Sequence, residues 1–240
     1  MKNKNNIIGK NIAFIHIPRT AGTYFTSYIT NFLRKNEYKI INSWKNLKRD
    51  WTKKELLSFL KIKNNQPIFV HNHLDNWDKE TIKKYKENGW FLVSFIRHPG
   101  DRLCSEYFYF KHLDEWNINL DKYIKNMSQI ERKGSKIPEY WKEFDYVAEF
   151  NKKNVIFFLK KYFNHKYIPM NHLNISENKG YNYYLSKNKI SKDTRKILES
   201  SDEFKKYIEI KDKKFLKDEY FKLKKLIQKI FNILFPKKPL

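Results

Sequence analysis

The chain has 240 residues, 40% of them hydrophobic, with 19 Phe, 16 Tyr and 6 Trp; that supplies a substantial core and excludes wholesale disorder. Six Gly, seven Pro and the single Cys104 exclude a collagen-like chain, an intrachain disulfide framework and a cysteine-built zinc site. Fifty basic residues against 26 acidic give a formal charge of +24, which suits an anionic partner. Only seven of the fifty are Arg, however, and the Lys excess travels with Asn, Ile, Phe and Tyr, residues of AT-rich codons, so the rare Arg positions are the more informative ones.

Residues 1–10 lack an apolar stretch followed by a small-residue cleavage site, and no run of about 18 apolar residues occurs, so a cytoplasmic protein with no transmembrane segment is expected. Residues 11–17 (NIAFIHI) are a nearly continuous apolar run, the pattern of a strand buried on both faces. Residues 18–23 (PRTAGT) turn the chain, and Tyr24, Phe25, Tyr28, Ile29, Phe32 and Leu33 then fall at helical spacing, so a helix starts near Gly22 or Thr23. A second helix is expected over 52–60, with Thr52 as N-cap and Glu55 closing a capping box. A short strand at 67–71 follows, then a helix over 79–87 ended by Asn88-Gly89. Residues 90–96 (WFLVSFI) give the strongest strand signal, and Arg97-His98-Pro99-Gly100 breaks it before an aromatic helix over about 101–113. Residues 117–141 read as short helices and loops, 144–150 as a strand, 152–163 as a helix, and 212–234 as an amphipathic basic helix. Strands alternating with helices predict an α/β fold with a central parallel sheet, and the absence of repeats and Pro/Gly-rich linkers predicts a single domain.

Two segments carry chemistry. A strand that ends in a small-residue loop and feeds a helix gathers backbone N–H groups and the positive end of the helix dipole at one spot, a recipe for holding an anion. Here Arg19 adds a charge and a donor fork, Thr20 and Thr23 add hydroxyls, and Ala21-Gly22 keep side chains away. The GxxxxGK[ST] pattern of a nucleotide-triphosphate loop is missing. The second segment follows the strongest strand, where ligands of parallel sheets sit. Arg97 and Ser105 could converge there on a second anion, and Asp101 and Arg102 could cap or brace the loop. Taken singly, each segment is equally readable as ordinary structure: a strand-to-helix turn, or an Arg paired with a nearby carboxylate.

Together, FIHIPRTAGTYF at 14–25 and FIRHPGDRLCSEYF at 95–108, about 80 residues apart, resemble the paired phosphate loops of sulfotransferases that use 3'-phosphoadenosine 5'-phosphosulfate. More narrowly they resemble the carbohydrate branch that includes the heparan sulfate 2-O-sulfotransferases. Asp145 in FDYV at 144–147 and the NHLNIS segment at 171–176 resemble further stretches of that family, over roughly 12–207 in all. The resemblance implies a P-loop NTPase-like three-layer fold. It places Arg19, Thr20, Ala21, Gly22, Thr23 and Tyr24 around the 5'-phosphosulfate, and Arg97 with Ser105 at the 3'-phosphate. Lys is the commoner residue of that branch at position 19; Arg neutralises charge but is a poor proton donor, and tyrosylprotein sulfotransferases resemble this chain in carrying it.

An acceptor hydroxyl needs a general base, and His71 and His73 of HNH project from one face of a strand. The carbohydrate branch has a similar His-x-His segment, which makes His73 the base with His71 assisting. A zinc pair and a pair of merely structural histidines are the competing readings. His16 reads as a buried, hydrogen-bonded histidine and Cys104 as core. The expectation is therefore a sulfotransferase acting on a carbohydrate or glycan hydroxyl, with the phosphosulfate as co-substrate, no metal and no nucleic-acid partner. Aromatics at 113–140 and 178–190, among them Trp116, Tyr123, Tyr140, Tyr181, Tyr183 and Tyr184, together with Trp141, are candidates for stacking on sugar rings or for packing. The alternatives are a nucleotide kinase, which would need ATP and Mg²⁺, and a nonenzymatic module that grips polyanions through its Lys faces.

Overall fold

A computed structural model describes residues 7–42, 49–62, 65–112, 118–130, 136–165 and 180–212. Five strands, β1 (Ile12–His16), β2 (Lys39–Asn42), β3 (Ile68–His73), β4 (Phe91–Ile96) and β5 (Tyr146–Glu149), pair in parallel in the order β2-β3-β1-β4-β5. Between and after them run helices α1 (Gly22–Lys35), α2 (Lys53–Phe59), α3 (Lys79–Glu87), α4 (Pro99–His112), α5 (Leu120–Gln129), α6 (Lys152–Phe163), α7 (Tyr181–Ser186), α8 (Lys192–Ser200) and α9 (202–212).

Period-two alternation divides the strands between two cores. Ala13, Ile15, Val70, Leu92 and Ile96 face one way and pack with Leu56 of α2, Ile82 and Tyr85 of α3, and Tyr207 and Ile210 of α9. Phe14, Phe69, Val93 and Phe95 face the other way and pack with Phe25, Ile29 and Leu33 of α1 and Val155, Phe158 and Leu159 of α6. Central β1 is consequently buried along its whole length. The result is the helix–sheet–helix, three-layer α/β arrangement with a parallel sheet that the alternation predicts. Each large apolar side chain withdrawn from water here contributes about 1.5–3 kcal/mol before entropy is counted. A third cluster, built from Leu103 and Tyr107 of α4, Tyr123 and Ile124 of α5, Tyr181 of α7 and Leu198 of α8, extends the fold beyond the sheet.

Local chemistry sets several boundaries. The capping box at α2 forms with Thr52 and Glu55 as expected, and α3 is capped by the Asp78 side chain accepting from the Thr81 amide. Helix α4 starts at Pro99, two residues earlier than expected, because proline's fixed φ and missing N–H suit the first helical turn. Strand β3 runs through His73, so the whole HNH tripeptide is in the sheet. Four elements lie outside the sequence expectations: β2, whose four residues KIIN hold only two apolar ones, and the helices α7, α8 and α9, although the Ser191 N-cap of α8 is a local start signal. Of the expected helix over 212–234 only residue 212 lies within the described residues, and the 171–176 segment lies outside them.

Arg102 of α4 ties α9 to the rest. Its Nε and Nη2 donate to both Glu203 oxygens at 2.9 and 2.8 Å, and Nη1 donates to Glu106 at 2.8 Å. All three residues are buried, so the pairing offsets a large desolvation cost.

Candidate active site

The site lies beyond the C-terminal ends of β1, β3 and β4. In the β1–α1 loop Arg19 and Ala21 both adopt left-handed backbone angles, φ 64° and 59°. Neither is glycine, so each conformation costs on the order of 1–2 kcal/mol and must be held by its surroundings. Thr20, buried between them, donates its hydroxyl to the Ile17 carbonyl at 2.6 Å. Left-handed residues that alternate with others at a turn can aim successive backbone N–H groups toward one spot, the geometry that suits an anion. Ala21 is the N-cap of α1 and has no side chain to cap with, and the first turn carries no acidic residue, so the dipole's positive end is not neutralised within that turn. Gly22 is required by packing: a Cβ there would lie 2.1 Å from the His16 ring.

Two expected residues, Ser105 and Arg97, meet around Arg19, joined by Tyr109, which the sequence reading did not single out. The Arg19 Nη2 donates to the Ser105 carbonyl of α4 at 3.1 Å, its guanidinium lies 4.1 Å from the centroid of the Tyr109 ring, and Arg97 donates from Nη1 to the Arg19 carbonyl at 3.4 Å. Ser105 thus joins the cluster through its backbone oxygen. Burial lowers the Arg19 pKa, opposed by the Tyr109 and Glu106 side chains. The Arg19 Nε is buried without a hydrogen-bond partner among the described residues, which leaves a donor available at the loop. Tyr24 sits edge-on to Phe150 at 6.0 Å, and Thr23 contributes its backbone to the first turn of α1.

Beside the loop stand three imidazoles. His16 of β1 is in register with His73 of β3, their ring centroids 4.7 Å apart, and His71 lies 5.4 Å from His16 and 6.2 Å from His73. His16 and His71 are buried, and no ring nitrogen of either has a hydrogen-bond partner among the described residues. His16 is therefore a packed but not a hydrogen-bonded core histidine, contrary to expectation. Burial, then the neighbouring histidines and Arg19, drives its pKa well below the ordinary value; burial and His73 push His71 down to about 3. Both rings are neutral at physiological pH.

His73 is different. Its side chain is 25% exposed, and its Nδ1 lies 2.9 and 3.1 Å from the two carboxylate oxygens of Asp50. Sequence reasoning missed Asp50 because it lies 23 residues away in an irregular segment with no motif around it.

The remaining candidates fall mostly to packing. Tyr123, Trp141 and Tyr181 are buried in the cores, so they do not stack on an acceptor, whereas Tyr183 is 44% exposed; Trp116 lies outside the described residues. Asp101 accepts from the Tyr181 amide at 2.6 Å, and the Tyr140 hydroxyl donates to the Trp77 carbonyl. His98 is ringed by Tyr181, Phe204 and Tyr207 at 5.3–5.5 Å. Cys104 is buried, and burial pushes its thiol up to about 12. Among the described residues no group of three or more His, Cys, Asp or Glu could hold a metal ion, and no helix is long and apolar enough to cross a membrane.

A five-stranded parallel sheet covered by helices on both faces, with Arg19, Arg97 and the His73–Asp50 pair at the C-terminal ends of its strands, defines a three-layer α/β class of fold. Within that class the chain belongs to the sulfotransferase family, whose profile matches residues 9–213. It is therefore a transferase of sulfuryl groups, in a family that generally draws them from 3'-phosphoadenosine 5'-phosphosulfate. No curated protein matches the chain. Solved structures that align include a gluconokinase from Sinorhizobium meliloti 1021 (9% identity, 52% of this chain and 77% of that one, TM-score 0.31). Another comes from the PezAT chromosomal toxin-antitoxin system of Streptococcus pneumoniae (11% identity, 68% and 83%, TM-score 0.33). At such scores these likenesses carry no argument.

Proposed function

We propose that the protein transfers the sulfuryl group of 3'-phosphoadenosine 5'-phosphosulfate to a hydroxyl of a carbohydrate or glycan acceptor. The observation that carries this reading is the placement of a partly exposed imidazole, His73, on the strand beside the loop whose Arg19 and Ala21 are left-handed. In this scheme the β1–α1 amides and Arg19 hold the phosphosulfate, the Thr20 hydroxyl being committed to the Ile17 carbonyl, and Arg97, near Arg19 at the end of β4, takes the 3'-phosphate together with the Ser105 region of α4. The acceptor oxygen attacks sulfur in line while His73 removes its proton. The S–O bond to the phosphate breaks, and Arg19 with the loop amides neutralises charge on the departing adenosine 3',5'-bisphosphate. His71 acts from behind His73 as neutral packing, with no hydrogen bond through which to pass a proton.

Calorimetric titration tests the donor site. Adenosine 3',5'-bisphosphate is expected to bind well above 5'-AMP and ATP-Mg²⁺. Arg97→Ala should weaken it by about 10- to 100-fold, the value of a hydrogen bond to a charged group. Equal binding of the bisphosphate and 5'-AMP would reject the donor assignment.

A further inference from the structure

We infer that Asp50 is the positioning residue for His73, an inference that rests on reading His73 as the base. A neutral imidazole divides between two tautomers, and only the one with its proton on Nδ1 leaves the Nε2 lone pair free to accept a proton from substrate. A carboxylate at 2.9 Å from Nδ1 selects that tautomer and fixes the ring's rotation about its own axis. It also stabilises the imidazolium that forms once the proton is taken.

The segment that carries Asp50 is built to stay in place although it belongs to no strand or helix. Arg49 makes a two-pronged pair with Glu55 at 3.0 and 2.7 Å, and Thr52 begins the capping box of α2 on the same Glu55. Between them, both backbone groups of Trp51 are taken by one side chain: the Trp51 amide donates to Asn72 Oδ1 at 2.9 Å, and Asn72 Nδ2 donates to the Trp51 carbonyl at 3.0 Å. Asn72 is fully buried, on the face of β3 that Val70 and Leu74 share with the apolar core. On burial alone an aliphatic residue would suit that position better. The amide is tolerated because both of its ends are bonded, and what they hold is the residue next to Asp50. A single tripeptide, His71-Asn72-His73, therefore presents the imidazole on one face of the sheet and ties down its carboxylate partner from the other.

The test uses Asp50→Ala, a substitution at a partly exposed side chain outside the cores. Three readouts are compared with wild type: the His73 tautomer by nitrogen NMR of histidine-labelled protein, calorimetric affinity for adenosine 3',5'-bisphosphate, and kcat for transfer of radiolabelled sulfate to chemically desulfated heparin and chondroitin. The expected result is an Nδ1-protonated His73 in wild type, a shift toward the Nε2-protonated form in the variant, and kcat lower by on the order of 10²-fold or more with bisphosphate affinity within twofold. In a His73→Ala background the same substitution should cost nothing further, which a general structural role would not produce. An unchanged tautomer with kcat within twofold overturns the inference, as does loss of bisphosphate binding, which would make Asp50 part of the donor site. If the tautomer shifts as expected but wild type transfers no sulfate to either polymer, the positioning role stands and the glycan reading falls.

Discussion

Replacing Gly22 with alanine adds one methyl group where α1 meets the sheet. Its Cβ would lie 2.1 Å from His16 Cδ2 and Nε2 and 2.5 Å from Cε1, whereas ordinary contact begins at 3.4 Å, so ring and helix must separate by about 1.3 Å. The ring cannot step aside: it lies 5.8 Å from Phe14, 5.4 Å from His71 and 4.7 Å from His73, centroid to centroid, and is 6% exposed. Overpacking of this kind costs about 1–3 kcal/mol, against which alanine's better helix propensity returns less than about 1 kcal/mol at a helix end. A net loss of roughly 1–2 kcal/mol corresponds to a fall in Tm of about 2–8 °C for a chain of this size. Urea and thermal unfolding of Gly22→Ala, His16→Ala and the double variant measure it. Removing the ring opens the space, so Gly22→Ala should cost at least about 1 kcal/mol less in the His16→Ala background. Equal costs in the two backgrounds would refute the claim that packing against His16 requires glycine at position 22.

The two buried histidines also predict a pH dependence. His16 and His71 stay neutral in the fold while the unfolded chain protonates them below about pH 6.5, so the unfolded state binds more protons and stability falls as pH drops. Each group contributes about 1.4 kcal/mol of loss per pH unit, for His71 down to its folded pKa of about 3, and the midpoint of urea unfolding should fall steeply from pH 6.5 to pH 5; a flat profile there would show that the rings are hydrated. Arg102→Met should cost about 3–5 kcal/mol by stranding the buried Glu203 and Glu106 carboxylates, and adding Glu203→Gln should recover part of it in the same unfolding assay. A double variant no more stable than Arg102→Met alone would contradict that account.

The architecture was readable where local signals and burial agreed. β1 and β4 are continuous apolar runs because both faces of a central parallel strand are covered, and α2 and α3 carry side-chain caps whose spacing is visible in the chain. β2 was not readable because an edge strand needs only a little apolar surface, and α7 because its six residues take their position from Asp101 and the α4 surface. At the candidate site, the loop residues stand out in the sequence by composition. Asp50 did not, since its relation to His73 exists only after β3 and the segment before α2 are tied through Asn72. For the aromatic residues the sequence leaves stacking and packing equally open, and Tyr123 and Tyr181 resolve to packing in the third cluster.

The bond between Arg102 and Glu203 spans 101 positions of the chain, and Tyr207 of the same late helix flanks His98 at 5.3 Å and reaches Glu149 at the end of β5. The helix that follows Arg97 is thus fastened by residues that leave the ribosome long after it does. During synthesis the sheet strands β1 to β5 are all present while the Arg102 guanidinium still lacks its bidentate partner, and the slow, long-range closure comes last. A nascent chain stopped before residue 203 would carry Arg102 without its bidentate partner, so the bracing of the helix after Arg97 would be acquired in one late step of biogenesis rather than growing with the sheet.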